Sequence, residues 1–153
     1  MSAFGYRKAL AAGRARPATL ARLTAALAAA RRRAGRAGAE AEAMRARVVA
    51  LRAGAAALVA AHYGVTPAEA LDGAQGEERT GCARWRAGAH ARQAAIYLVH
   101  VTLGLSQADL GRALGLSRVA VCLACRAVED RRDDPALDRL LAGAERLLKG
   151  ETP

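Results

Sequence analysis

Residues 106 to 126, SQADLGRALGLSRVAVCLACR, constrain the fold more than any other stretch of the sequence. Their spacing predicts two short helices separated by a three-residue break. Ser106 is a favoured N-cap residue, and Asp109 places negative charge at the positive end of the first helix. Gly115 can adopt the left-handed conformation that ends a helix, and Ser117 can cap the next helix. Two helices joined so closely must cross steeply, so the second projects outward.

This pattern is typical of a helix-turn-helix, in which the start of the second helix meets base edges in the major groove of DNA. Leu110, Leu114, Leu116 and Val121 are its large apolar residues, and Gly111 and Gly115 stand where the two helices must come close. All-helical proteins that never bind DNA also contain two amphipathic helices with a glycine turn, so the pattern alone leaves both readings open. The residues expected to meet bases are Ser117, Arg118, Val119 and Cys122.

Residues 89 to 116, AHARQAAIYLVHVTLGLSQADLGRALGL, carry a second pattern. It resembles the DNA-binding domain at the C-terminus of the replication initiator DnaA, and the resemblance extends to residues 58 to 71 and 133 to 148. The resemblance implies an all-α, Trp-repressor-like helix-turn-helix domain. The residues that match in register are Ala91, Arg92, Gln93, Ala95, Tyr97, Leu98, Gly104, Leu105, Ser106, Gly111 and Arg112.

The resemblance also implies DNA contacts before the helix-turn-helix. In that family a loop supplies an arginine to the minor groove, and an Arg-Gln pair opens the next helix. Residues 72 to 88 form the corresponding glycine-rich loop, in which Arg84 lies eight residues before Arg92, as in the family. Arg84 is therefore the minor-groove candidate with Arg86 as reserve, while Arg92 and Gln93 are expected to bind backbone or bases. The alternative is an exposed loop with incidental arginines.

The sequence departs from the family where the second helix begins. The family's Asp-His-Thr-Thr set, which reads the initiator box, and a following His are replaced by Ser117, Arg118, Val119, Ala120 and Leu123. Arg118 can form a bidentate bond to guanine, and Val119 can contact a thymine methyl group. No phosphate-binding G-x-x-x-x-G-K-[ST] motif occurs, so the chain is not by itself an ATP-driven initiator. A different target sequence is expected.

The excess positive charge lies in the N-terminal third. Residues 1 to 52 hold 12 Arg or Lys and 2 Glu, whereas residues 53 to 153 hold 12 of each sign. Such a basic block favours an acidic partner, most simply nucleic acid. A GC-rich genome would explain the excess of arginine over lysine but not the shortage of acidic residues. Arg112 and Arg126, which flank the second helix, are candidates for phosphate contacts.

The sequence predicts an all-α chain in two parts, a basic helical extension over 1–52 and the DNA-binding domain over 53–150. Residues 1–16 are expected to be partly disordered, and a helix from Pro17 is expected to end between Gly35 and Gly38. A second helix is predicted from Ala39, with an apolar stripe typical of a coiled-coil seam or of a helix packed on a neighbour. A folded-back hairpin and a homodimer surface both stay open. The stripe residues are Leu20, Leu23 and Leu27, then Met44, Val48, Leu51, Ala55, Leu58 and His62.

Later helices are predicted at 89–103, 117–131 and from Asp134 to Gly150. Leu137, Leu140, Leu141, Leu147 and Leu148 of the last helix are expected to close the core.

Several functions are disfavoured. No apolar run of 18 residues occurs, so no membrane partner or membrane span is expected, and a cytoplasmic, nucleoid location is inferred. Cys122 and Cys125 form a C-x-x-C without further ligands, so they are interpreted as packing residues. No residues form a nucleophile-base or metal constellation. We therefore expect neither an enzyme nor a cofactor or metal.

The sequence as a whole predicts a protein that binds double-stranded DNA sequence-specifically, with helix 117–131 in the major groove and loop 79–86 in the minor groove. Stand-alone DnaA-like domains occur in bacterial transcriptional regulators, including activators of gene-transfer-agent clusters, and the chain resembles these. An activator would contact RNA polymerase or another DNA-binding protein, here through residues 1–63. The alternatives are a replication-initiation modulator that competes with DnaA for DNA or partners, and a sequence-tolerant nucleoid-associated protein.

Overall fold

The computed structural model describes residues 17–72 and 82–151, which form helices and no strand. The predicted all-α class is confirmed, whereas the disorder predicted for residues 1–16 and the loop arginine Arg79 lie outside the described residues. The helices are α1 (Pro17–Tyr63), α2 (Pro67–Asp72), α3 (Ala83–Leu103), α4 (Gln107–Leu114), α5 (Arg118–Glu129) and α6 (Pro135–Lys149).

The chain divides into two compact units, Met1–Glu42 and Ala43–Pro153. The first unit contains the beginning of α1, and its described side chains, from residue 21 onward, are exposed except for the half-buried Ala28 and Ala29. The second unit contains the rest of α1 and the other five helices. It holds the hydrophobic core of the described residues.

Helix α1 is continuous through Gly35 and Gly38, so the predicted break there is wrong, and so is the hairpin that it would have allowed. Neither glycine has a positive φ. A glycine inside a helix costs about 1 kcal/mol relative to alanine, but alanine and arginine are among the best helix formers. Alanine and arginine lie close to both glycines, and no proline occurs between residue 18 and the end of the helix at Tyr63, so the helix continues.

The core of the second unit consists mainly of small side chains. Helix α3 contributes a buried run over residues 94–99, and its alanines allow neighbouring helices to approach closely. The larger fully buried residues come from five different helices, so each of these helices contributes to one shared core. They are Val48, Val59, Leu98, Val99, Leu110, Val121, Val128 and Leu141.

Helix α6 closes this core with one face. Its predicted ends are confirmed, since Asp134 caps the helix by accepting from the Ala136 N–H at 2.9 Å, and Gly150 ends it at φ 77°. Leu137 and Leu141 are buried. Leu147 was predicted to join them but is 57% exposed, because at about 100° per residue it lies off the face that points inward.

The turn between α4 and α5 brings two stretches of backbone into contact. Gly115 ends α4 at φ 68°, and the Leu116 N–H donates to the Gly111 carbonyl at 2.8 Å. A Cβ atom on Gly111 would lie 2.8 Å from the Leu116 carbonyl oxygen, closer than van der Waals contact permits. Glycine at 111 therefore fixes how closely the start of α5 lies against α4.

We expect Gly111→Ala to lower the free energy of unfolding by about 1–3 kcal/mol, because backbone must move to admit the methyl group. Gly143→Ala is the matched control, since a Cβ there would meet nothing within 4 Å. Helix propensity should make that control more stable by about 0.5–1 kcal/mol. Urea unfolding followed by circular dichroism measures both, and equal stabilities for the two variants would contradict the close approach.

Candidate nucleic-acid interface

Two serines cap the N-termini of α4 and α5. The Ser106 hydroxyl accepts from the Asp109 N–H at 3.1 Å, and the Ser117 hydroxyl accepts from the Ala120 N–H at 3.0 Å. Both predicted caps are therefore confirmed. The Ser117 side chain caps α5, which begins at Arg118, immediately beyond the turn.

Helix α5 has an inner and an outer face. Val121, Ala124, Cys125 and Val128 are buried and hold the helix in the core. On the other side, Val119 is 65% exposed and Leu123 59% exposed. Large apolar side chains in solvent form a feature that a binding partner would cover.

The outer face of α5 is a concave patch of two arginines, two apolar residues and one thiol. Three of the four residues predicted to meet bases lie on it, while the fourth, Ser117, is the adjoining cap. Leu123 was not among the predicted site residues, although its spacing of four from Val119 could have indicated it. The outer face of α5 is Arg118, Val119, Cys122, Leu123 and Arg126.

The two arginines of this face are exposed. Neither Arg118 nor Arg126 has an ion pair or side-chain hydrogen bond among the described residues. Eight positions apart, they stand about two helical turns apart at the two ends of the patch. The patch therefore combines positive charge at its ends with an apolar centre.

Arg112, another predicted phosphate contact, is also exposed but carries a partner. Its guanidinium pairs with Asp109 one turn earlier in α4. The Ser106 hydroxyl, and then Arg112, lower the pKa of the Asp109 carboxyl. An exposed pair of this kind is worth little energy, so a phosphate could compete for the arginine.

The predicted minor-groove loop is partly helical. Helix α3 begins at Ala83, so Arg84 and Arg86 are helical, and their assignment to a loop is wrong. The physical reason is a sulfur cap: Cys82 Sγ accepts from the Trp85 N–H at 3.2 Å. Cysteine is not among the usual capping residues, so this helix start could not be recognised from the capping pattern.

Glu69 engages the guanidinium of Arg84. Arg84 Nε donates to Glu69 Oε1 at 2.6 Å and its Nη2 to Oε2 at 3.1 Å, forming a bidentate pair. Glu69 also accepts from the Thr66 N–H at 2.8 Å at the start of α2. The hydrogen bond from Arg84, then that from Thr66, lower the pKa of Glu69 to about 2. Arg86, the reserve candidate, is exposed and has no such partner among the described residues.

Arg92 and Gln93, the predicted Arg-Gln pair, are half-buried and bound within the protein. Arg92 Nη1 donates to the Glu69 carbonyl at 3.2 Å, and burial followed by nearby Arg52 lowers the Arg92 pKa. Gln93 Oε1 accepts from Arg131 Nη2 at 2.7 Å. Arg92 therefore joins α3 to α2, Gln93 joins α3 to the turn that follows α5, and their predicted DNA contacts stay predictions.

Two structural arginines were not anticipated from the sequence. Arg52 Nη2 donates to the Leu71 carbonyl at 2.7 Å, and so binds α1 to the end of α2. Arg131 Nε donates to the Ala127 carbonyl at 2.7 Å while its other end holds Gln93. Nothing in their sequence context distinguishes them from surface arginines, because their carbonyl acceptors lie on other turns or other helices.

The cysteines of α5 differ in environment. Burial, then Glu129 and Cys122, raise the pKa of the Cys125 thiol to about 11, so this thiol is protonated at neutral pH. Cys122 is half-buried on the outer face of α5. Residues 17–72 and 82–151 contain no group of three or more His, Cys, Asp or Glu side chains placed to hold a metal ion.

No helix within the described ranges is both long and apolar enough to cross a membrane. Comparison of the chain with protein-family models, with curated proteins and with solved structures gives no match.

The Glu69 ion pair predicts a pH dependence of stability. As the pH falls, the Glu69 carboxyl of the unfolded chain, with a pKa of 4.5, is protonated before that of the folded chain, whose pKa is about 2. The stability that it contributes is thus fully present above about pH 4.5 and is lost as the pH falls toward 2. We expect wild type to exceed Glu69→Gln in stability at about pH 6 and the gap to narrow at about pH 3.5. Urea unfolding at both pH values measures the difference in stability between the two proteins. A difference that does not change with pH would refute the ion pair between Glu69 and Arg84.

Proposed function

We propose that residues 106–129 act as a helix-turn-helix and that the chain binds double-stranded DNA in a sequence-specific way, as a transcriptional regulator and most simply an activator. In this proposal α5 enters the major groove with its outer face toward the bases. No catalytic activity, cofactor or metal forms part of the proposed function, and the proposed location is the bacterial nucleoid.

One observation carries the proposal most: α5 is anchored by one buried face, while the other exposes Arg118 and Val119 at its N-terminal end, and Arg118 has no side-chain partner among the described residues. Residues at the start of such a helix are those that reach base edges. Arginine binds guanine O6 and N7 through two bonds, and an apolar side chain suits the thymine methyl group. Leu123 extends the apolar centre toward the next turn.

The DNA contacts proposed beyond the start of α5 are assigned to arginines that form no ion pair among the described residues. Arg126 lies two turns along the same face and is proposed to bind phosphate. Arg86 is now favoured over Arg84 for the minor groove, because Arg84 would first have to leave a bidentate pair with Glu69. Arg92 is proposed to act indirectly, by holding the middle of α3 against α2.

The N-terminal unit supplies the surface for a protein partner, RNA polymerase or another DNA-binding protein. Its described part exposes Arg22, the run Arg31 to Arg33 and Arg36 on α1. Val48 is fully buried in the second unit, so a truncation that tests this surface should stop at residue 42 and not at 52. Loss of activation with retained DNA binding is the expected outcome.

The reading helix is tested by Arg118→Ala and Arg126→Ala in the full chain, with Arg146→Ala on α6 as control. We expect Arg118→Ala to weaken binding to the preferred duplex by about 1–3 kcal/mol and to relax the preference at one position. Arg126→Ala should weaken binding to all duplexes and lower the salt slope by about 1. Selection from randomised duplexes, followed by titration at several salt concentrations, measures both effects.

An unchanged motif and affinity for Arg118→Ala would refute the assignment of α5. The same selection separates the alternatives. Preference for the DnaA initiator box over a scrambled duplex would favour the replication modulator. Absence of any enriched motif, together with a steep salt dependence, would favour a sequence-tolerant nucleoid protein.

A further inference from the structure

Because α1 is unbroken, the two apolar stripes of the sequence belong to one helix and share one repeat. From Leu20 to Leu58 the spacing alternates strictly between three and four residues. None of the eight arginines, two glutamates and three glycines in residues 20–58 falls on these positions. A strict period of 3.5, rather than 3.6, is typical of supercoiled helices. The positions are Leu20, Leu23, Leu27, Ala30, Ala34, Ala37, Ala41, Met44, Val48, Leu51, Ala55 and Leu58.

The two halves of this repeat differ in burial. Val48 and Ala55 have no exposed surface, since they pack in the core of the second unit. Toward the N-terminus, Leu23 is 60% exposed, Leu27 53% and Met44 40%. The alanines at 30, 34, 37 and 41 are exposed as well. Positions 23 to 44 of the repeat, named here the exposed seam, therefore have the pattern of a core, and no part of the chain that the structure describes covers them.

Charges beside the seam distinguish the possible occupants. In a coiled coil the apolar positions of the repeat are named a and d, with d three residues after a. In a parallel pair, the residue just before an a position faces a residue of the partner helix that lies five positions further along the sequence, just after a d position. With Leu20 as an a position, Glu40 then faces Arg45 of a second copy. The same rule places Ala26 opposite Arg31 and Arg33 opposite Gly38, so no like charges meet.

The opposite orientation is unfavourable. An antiparallel pair that overlaps residues 20–44 completely would place Arg33 against its own copy, and likewise Arg31. Shifting the antiparallel pair toward the C-terminus would remove this repulsion, but it would require Val48, which is fully buried. Flanking charge thus favours a parallel arrangement of two identical helices.

We propose that a second copy of this chain covers the exposed seam, forming a parallel two-stranded coiled coil along residues 20–45. Leu23, Leu27 and Met44 form its larger layers, and the four alanines allow the helices to approach closely between them. Two symmetric Glu40 to Arg45 pairs fix the orientation. This proposal concerns the N-terminal half of α1 and does not depend on DNA binding.

A cysteine at the seam tests the geometry in the full chain. Leu23→Cys occupies a d position, where parallel partners lie within disulfide distance. In the antiparallel pair the two thiols would be about 27 Å apart along the axis, at about 1.5 Å per residue. Ala25→Cys on the outer side of the helix is the matched control and keeps the same native cysteines. We expect rapid oxidation to a covalent dimer for Leu23→Cys only. Equal crosslinking of the two variants, or none, would overturn the parallel dimer.

A charge exchange tests the partner without new cysteines. Glu40→Arg should place like charges together and raise the dimer dissociation constant by roughly tenfold, because two symmetric pairs are affected. Arg45→Glu should do the same, and the double exchange should restore wild-type dimerisation. Analytical ultracentrifugation measures the dissociation constants of wild type and the three variants. A monomeric wild type, or a double exchange no better than the single ones, would overturn the proposal.

Discussion

The contact between Gly111 and the Leu116 carbonyl determines where α5 stands. The hydrogen bond from the Leu116 N–H to the Gly111 carbonyl joins the end of α4 to the turn. Because the position at 111 has no side chain, the start of α5 can lie directly on the backbone of α4. Val121 and Leu110 are both buried in the shared core, and the opposite side of α5 is left in solvent. The close approach at Gly111 and the buried face of α5 together set which side of the helix is exposed.

Electrostatics separates the arginines of the second unit into two kinds. Arg52, Arg92 and Arg131 are half-buried and donate to carbonyl or amide oxygens of other residues. Such bonds to charged donors are stronger than neutral ones and connect helices whose apolar contacts are small. Arg118 and Arg126 have no such use within the described residues. The alanine-rich core therefore relies on some arginines for its cohesion, while others are free for a partner.

The elements that sequence predicted correctly are those encoded by local chemistry. The caps at Ser106, Ser117 and Asp134 depend on residues a few positions away, so their spacing is visible in the sequence. The break at Gly35 was wrong because glycine only lowers helix stability, and surrounding alanines outweigh it. The loop around Arg84 was wrong because a sulfur replaced the usual capping oxygen. Partners of Arg84 and Gln93 lie 15 and 38 residues away, which no local pattern reveals.

The residues on the two faces of α5 are under different structural constraints. Val121 and Cys125 are fixed by packing, since changing buried groups by even one methylene affects stability. Val119 and Leu123 contact little of the protein, and substitutions at such exposed positions usually change stability by less than about 0.5 kcal/mol. The residues that hold α5 in the core and those that it leaves in solvent are therefore interleaved along a single short helix. Under the proposed function, substitutions at the outer positions could change the preferred duplex while the packing of the helix stayed the same.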